Sequence, residues 1–207
     1  MTARRDPEAT RTAILDAAEE CFIARGLGET SVSAIARKAK VTKSLIHHHF
    51  GSKAKLWEEV KQRRFAEYAE RQLEMLEQSE PEAGLLKESL SLYFHFLKAN
   101  PSLVRMVTWM YLEEDEECID MNRAVLEGGT EAIRQGQEIG QIRDDVDPRF
   151  LLFVFLAIAE HWFQFRNTVC SHLEIDGSPE ERDQTYFETM TKIFFEGVLP
   201  REPKPEP

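Results

Sequence analysis

Through most of its length, this 207-residue chain repeats apolar side chains at three- and four-residue spacing. No stretch alternates apolar with polar as a half-buried strand would. The fold class that follows is all-α, and residues that start and stop helices divide the chain into about nine of them. Asp6 before Pro7 makes an N-cap and a first helical position, Ile14, Ala18, Cys21 and Phe22 line one face after it, and Gly26 offers a stop. Thr30 or Ser31 caps a short helix reaching about Lys38, with Ile35 and Ala36 inward. Thr42 caps another reaching Phe50, and Ser52 caps a long, charge-rich helix to about Gln78. Past Pro81, helices are expected over residues 82–99, 101–112, 117–140, 148–171 and 179–198, with residues 140–148 a loop by their Gly, Asp and Pro content. The expected division is a three-helix N-terminal domain over residues 1–53, a helical body over 54–199 and a frayed tail over 200–207.

Composition removes several classes of protein. Hydrophobic residues make up 42% of the chain, enough for a packed core, yet the longest apolar run, residues 150–159, is about half of what a membrane span requires. Arg4 and Arg5 have no apolar stretch behind them, so no signal peptide is expected. Cys21, Cys118 and Cys170 are odd in number and widely spaced, which speaks against a disulfide framework or a zinc site and for the cytoplasm. A net charge of −11 argues against nucleic acid until it is mapped along the chain. Residues 1–55 hold ten Lys and Arg against six Asp and Glu, whereas the rest holds sixteen against thirty-one. Such a basic head on an acidic body confines phosphate affinity to the head, although chance asymmetry would give the same counts.

Within the head, residues 30–53 offer two short helices joined by a tight turn near residues 39–41, the proportions of a helix-turn-helix. With Thr42 as N-cap, Val41 and Ile46 occupy the two positions of a hydrophobic staple. Ile46 and Phe50 then share the buried side, and Lys43, Ser44, Leu45, His47 and His48 are left around the outward surface. A helix of this kind meets base edges through such residues. His47, His48 and His49 suggest a metal at first sight. Consecutive helical residues point about 100° apart, however, so the three cannot converge on one ion; no metal or cofactor is expected, and His49 is placed half-buried against the first helix.

Ile35-Ala36, Val41-Thr42-Lys43-Ser44 and Phe50-Gly51-Ser52-Lys53 resemble the DNA-binding domain of the TetR-like family of helix-turn-helix transcriptional regulators. The resemblance is strong over residues 7–60. Over residues 80–199 it is weaker, where Asn100-Pro101 and the ending Phe195-Glu196-Gly197-Val198-Leu199-Pro200-Arg201 are similar to the subgroup of the pyrimidine-utilisation regulator. The resemblance implies a repressor that leaves a palindromic, double-stranded operator when a small organic effector binds the body, which also dimerises. It implies phosphate contacts from Thr30, Ser31, Thr42, His47 and Lys53, with base-edge contacts from Lys43, Ser44, Leu45 and His48; Ser33 joins the DNA-facing set. One departure is the histidine triplet, which stands where the family commonly has tyrosines and weakens any carry-over of tyrosine-to-phosphate bonds.

In the body, Phe150 to Leu156 are apolar nearly all round a helix, which predicts burial on two faces. Paired with the last helix, whose Phe187, Met190, Phe194 and Val198 fall at helical spacing, this helix suits a four-helix homodimer interface. Phe163, Phe187, Met190 and Phe194 are the interface candidates, against the alternative of a core within one chain. Gly128 and Gly129, inside a helical stretch, point either to a kink or close packing or to tolerated neutral sites. An effector pocket is expected around Phe96, Met106, Trp109 and Trp162, with His161 and Arg166 as polar anchors. The acidic run of residues 113–117 reads as a solvated face, and no catalytic motif appears. Two other readings stay open: a ligand-binding or enzymatic helical protein whose helix-turn-helix serves only as packing, and an architectural DNA binder without effector.

Overall fold

A computed structural model describes residues 6–79, 83–115 and 123–198, which form nine helices and no strand among them. They are α1 (Pro7–Arg25), α2 (Val32–Ala39), α3 (Lys43–Phe50), α4 (Lys53–Gln78), α5 (Ala83–Ala99), α6 (Pro101–Leu112), α7 (Arg123–Glu138), α8 (Pro148–His172) and α9 (Pro179–Val198). The chain resolves into two compact units, Met1–Glu67 with Ser102–Met121, and Tyr68–Pro101 with Asn122–Pro207. This division differs from the expected break after Lys53. The first half of α4 belongs to the first unit because Leu56, Trp57 and Val60 are fully buried there, and nearly all of α6 belongs to it as well. The start of the helix expected at residue 117, Cys118 and the tail expected from residue 200 lie outside the described residues.

In the first unit, α1 begins where the sequence places it. Asp6 accepts the backbone N–H of Glu8 at 3.0 Å, and Pro7 occupies the first turn. Ile14, Ala18 and Phe22 are completely buried, and Phe22 meets Trp57 of α4 edge to face at 4.9 Å. Gly26 ends the helix with φ 72°, a left-handed value that costs other residues more. Space requires glycine there too, since a Cβ would stand 2.8 Å from the Trp109 ring and 2.6 Å from the Glu113 carboxylate. Deeper in the unit, Lys61 is fully buried, its ammonium donating to Asp115 and ion-paired with Glu58, each at 2.9 Å. Burial by itself would lower its pKa, but the two carboxylates outweigh that and hold it above the ordinary lysine value.

In the second unit, α8 opens on Asp147, which accepts the N–H of Arg149 at 2.9 Å ahead of Pro148. The Arg149 side chain, helped by that backbone bond, holds the Asp147 carboxyl at about 2. Inside the unit, Phe94 of α5 sits among Phe163 of α8 and Phe187 of α9 at 4.8 and 5.0 Å, and Trp162 stacks on Tyr186 at 4.2 Å. Buried Asp183 accepts from both the Trp162 indole, at 2.8 Å, and Arg166, at 2.6 Å, docking α9 on α8. Gly128 and Gly129 of α7 mark close packing: a Cβ on the first would lie 3.2 Å from Leu76, and on the second 3.3 Å from Leu152. None of the described helices is long and apolar enough to cross a membrane.

Candidate nucleic-acid interface

The helix-turn-helix is fixed by caps at both of its N-termini. Ser31 accepts the N–H of Ala34 at 3.2 Å to start α2, and Thr42 accepts that of Leu45 at 3.3 Å to start α3. Between them Lys40 takes φ 55°, a left-handed cap closed by the N–H of Val41 reaching back to Ala36 at 3.0 Å. Ile35, Ala36, Ile46 and Phe50 are buried as their spacing predicts, so the inner side of the motif is apolar and fixed. Its outer side is polar. Ser31, Ser33, Thr42, Lys43, Ser44, His47 and His48 are exposed, and Leu45 and His49 are half-buried. A motif used only for packing would bury that face.

The exposed groups can donate to phosphate. Ser31 and Thr42 spend their oxygens as acceptors in capping and keep their hydroxyl hydrogens. The Nδ1 of His47 donates to the carbonyl of Gly51 at 3.0 Å, which leaves Nε2 as the other hydrogen-bonding atom of the ring. A neutral ring offers only a lone pair at Nε2, so donation to phosphate from that side needs the protonated form.

Thr30 and Lys53 depart from their expected place. Thr30 is buried, and its hydroxyl is engaged by the carbonyls of Gly26 at 2.6 Å and Cys21 at 3.1 Å. The Lys53 ammonium donates to the carbonyls of Leu27 at 2.7 Å and Thr30 at 3.0 Å, so it ties the loop between α1 and α2 instead of standing open. The opposite polarity of that loop is met by Glu113, whose carboxylate accepts the N–H groups of Leu27 and Gly28 at 3.1 and 2.9 Å. Trp109 adds its indole N–H to the carbonyl of Ile23 at 3.2 Å. Glu113 and Asp115, read from sequence as part of a solvated acidic face, are therefore structural anchors. Their partners lie more than 50 residues away in the chain, which no local pattern reveals.

The expected effector set is divided between the two units. Met106 and Trp109 belong to the first unit, where Met106 is fully buried and Trp109 packs on Gly26. In the second unit Phe96 stacks on Tyr68 at 5.2 Å, Trp162 and Arg166 are engaged by Asp183, and His161 is exposed against Phe165. A different cavity, of about 30 Å³, opens between the end of α4, α5, α7 and α8, lined by Tyr68, Gln72, Ser89, Ile133, Phe155 and further aliphatic side chains.

The interface candidates divide as well. Phe163 and Phe187 pack on Phe94 inside the unit, and Met190 and Phe194 are buried yet line the floor of a groove. That groove, about 500 Å³ between α8 and α9, also carries exposed Phe150, Val154 and Ile193. Burial of the start of α8 on two faces is thus overturned within the chain: Leu151, Leu152 and Phe155 are buried, while Phe150 and Phe153 are each 68% exposed.

The family model for bacterial regulatory proteins of the tetR family matches residues 14–60, and that for the tetracyclin repressor-like C-terminal domain matches residues 91–189. The HTH-type transcriptional repressor SCO4008 of Streptomyces coelicolor is 30% identical over 165 residues, which span 76% of this chain and 80% of the relative. Among solved structures, SCO4942 from Streptomyces coelicolor superposes with a TM-score of 0.70 at 24% identity, covering 89% of this chain and 97% of its own. The ketosteroid transcriptional regulator KstR2 of Mycobacterium tuberculosis does so with a TM-score of 0.66 at 19% identity, covering 92% and 95%.

Proposed function

Because the chain belongs to the TetR family of bacterial regulatory proteins and is a DNA-binding transcriptional regulator, we propose that it is a cytoplasmic repressor, a homodimer that leaves a palindromic operator when a small organic molecule binds its second unit. The observation that carries this reading is the exposed polar face of α3, Lys43, Ser44, His47 and His48, set on a capped and buried back. Lys43 is the candidate for a base edge, and Ser31, Ser33, Thr42, His47 and His48 for phosphates and neighbouring bases. The name of the Streptomyces relative supports repression over activation.

Dimerisation is supported by the groove of α8 and α9, where the second unit leaves Phe150, Val154 and Ile193 in solvent although its own core is closed. A second copy of the same groove would cover them. An effector can release the operator only by favouring a conformation whose two α3 helices no longer match successive major grooves. Selection of bound sequences from a random DNA pool tests the reading. A palindromic site should emerge, and Lys43→Ala should lose preference at one base position of each half-site. Recovery of no preferred sequence would overturn it.

A further inference from the structure

Gln72 is almost wholly buried on α4, and only one end of its amide is satisfied. Its Nε2 donates to Ser89 Oγ, whereas Oε1 has no hydrogen-bond partner. Both residues line the cavity between α4, α5, α7 and α8, whose remaining wall is made by side chains such as Leu76, Leu86, Ile133 and Phe155. None of the described residues that line it is charged. A buried acceptor left unpaired is unfavourable, so the cavity calls for a donor and offers nothing to balance a charge.

We propose that this cavity is the effector site and that it takes a small, neutral, mainly apolar molecule presenting one hydrogen-bond donor to Gln72 Oε1. The inference rests on the reading of the second unit as effector-binding and adds the class of ligand. At about 30 Å³ the cavity is too small for a ring the size of benzene, which needs on the order of 150 Å³. The ligand therefore widens the site. The yielding wall is α7, which contributes Gly129 and Ala132 and meets Leu76 and Leu152 through the flexible ends of those side chains. Tyr68 and Gln72 stand one turn apart on α4, so a ligand held there bears on a helix whose residues are divided between the two units.

The test uses the full chain and two probes of nearly equal size, indole and 1-methylindole, which differ in a single N–H. Titration calorimetry should show indole binding at least about tenfold more tightly, the factor expected when a buried acceptor is left unpaired by the wrong ligand. Gln72→Met keeps the volume and removes the acceptor, and it should bring the two probes to within about twofold. Equal affinity of the wild type for both probes, or binding of neither, overturns the proposal, and the first comparison needs no variant. A preference for indole that survives Gln72→Met overturns it as well. Operator release is scored separately. A chain that prefers indole through Gln72 yet holds no operator leaves this site standing and sinks the regulator reading; a chain that binds operator and ignores both indoles does the reverse.

Discussion

The two ends of the chain handle large apolar side chains differently. In α1, α2 and α3, Ile14, Phe22, Ile35, Ile46 and Phe50 are all buried, and these helices contribute none of the exposed large apolar residues among the described ones. In α8 and α9 the buried Leu151, Phe155, Met190 and Phe194 alternate around the helix with exposed Phe150, Phe153, Val154 and Ile193. The head is saturated within one chain and presents no large exposed apolar side chain among the described residues, which suits a charged, hydrated partner. The body is saturated on one side only, which suits an apolar partner such as its own copy.

The largest expected effect comes from breaking the saturated side. Phe22→Ala removes a completely buried ring that meets Trp57 and should cost about 3–5 kcal/mol of stability, read by denaturant unfolding. Phe150→Ala, at a ring 68% exposed, should leave the unfolding of a dilute monomer nearly unchanged. A comparable loss at Phe150 under those conditions would erase the contrast between the two regions.

Next in size is the unsaturated side itself. Ile193→Glu on the groove should weaken self-association by at least about 2 kcal/mol, roughly thirtyfold, if the groove is the centre of a dimer interface. Sedimentation at micromolar concentration should then show monomer where the parent shows dimer. A parent that is already monomeric, or a variant that dimerises as tightly, removes the second copy as the partner of this face. In the head, Lys43→Ala should cost about 1–3 kcal/mol in operator binding if the contact is bidentate to guanine, with dimerisation untouched. Equal operator affinity of variant and parent would take Lys43 out of the base-reading set.

Why the head was so legible follows from the reach of its determinants. Asp6, Ser31 and Thr42 cap helices that begin one residue later, and the spacing of Ile46 and Phe50 fixes a face within four residues. The residues whose surroundings differ from expectation have partners that the local pattern does not reveal. Lys53 reads locally as an open cation, but Leu27, Gly28 and Thr30 lie more than twenty residues back. Thr30 reads as a cap, yet its hydroxyl turns to Gly26 and Cys21 while Ser31 caps α2. In the body, periodicity reports which residues are apolar and not what covers them, so it does not foretell that half-buried Phe163 and Phe187 pack on Phe94 of the same chain. The same limit holds for the expected pocket, since Trp109 and Trp162 are equally large and are engaged by backbone and by Asp183.

Lys40 gives a smaller lever on the head. It holds φ 55°, where a Cβ is strained, at the turn between α2 and α3. Lys40→Gly should stabilise the folded state by up to about 1 kcal/mol without moving the exposed face of α3. A destabilised variant would mean that the Lys40 side chain contributes more than its backbone strain takes away.

The smallest expected shift lies in the body and depends on pH. Glu160 of α8 accepts from the Tyr93 hydroxyl within an aromatic cluster that includes Tyr68. Burial pushes its carboxyl above the ordinary glutamate value, and the Tyr93 bond only partly opposes that. A carboxyl with a folded pKa above its unfolded one favours folding in the protonated form. Its contribution is complete below the unfolded value of about 4.3 and is lost as pH rises through the folded one. At pH 8 the body therefore holds a half-buried, ionised carboxylate at some cost. Glu160→Gln keeps an acceptor for Tyr93 and removes the charge, so the variant and parent should melt together near pH 4, and the variant should melt higher at pH 8. A melting difference that stays constant from pH 4 to pH 8 would show that Glu160 acts through packing alone.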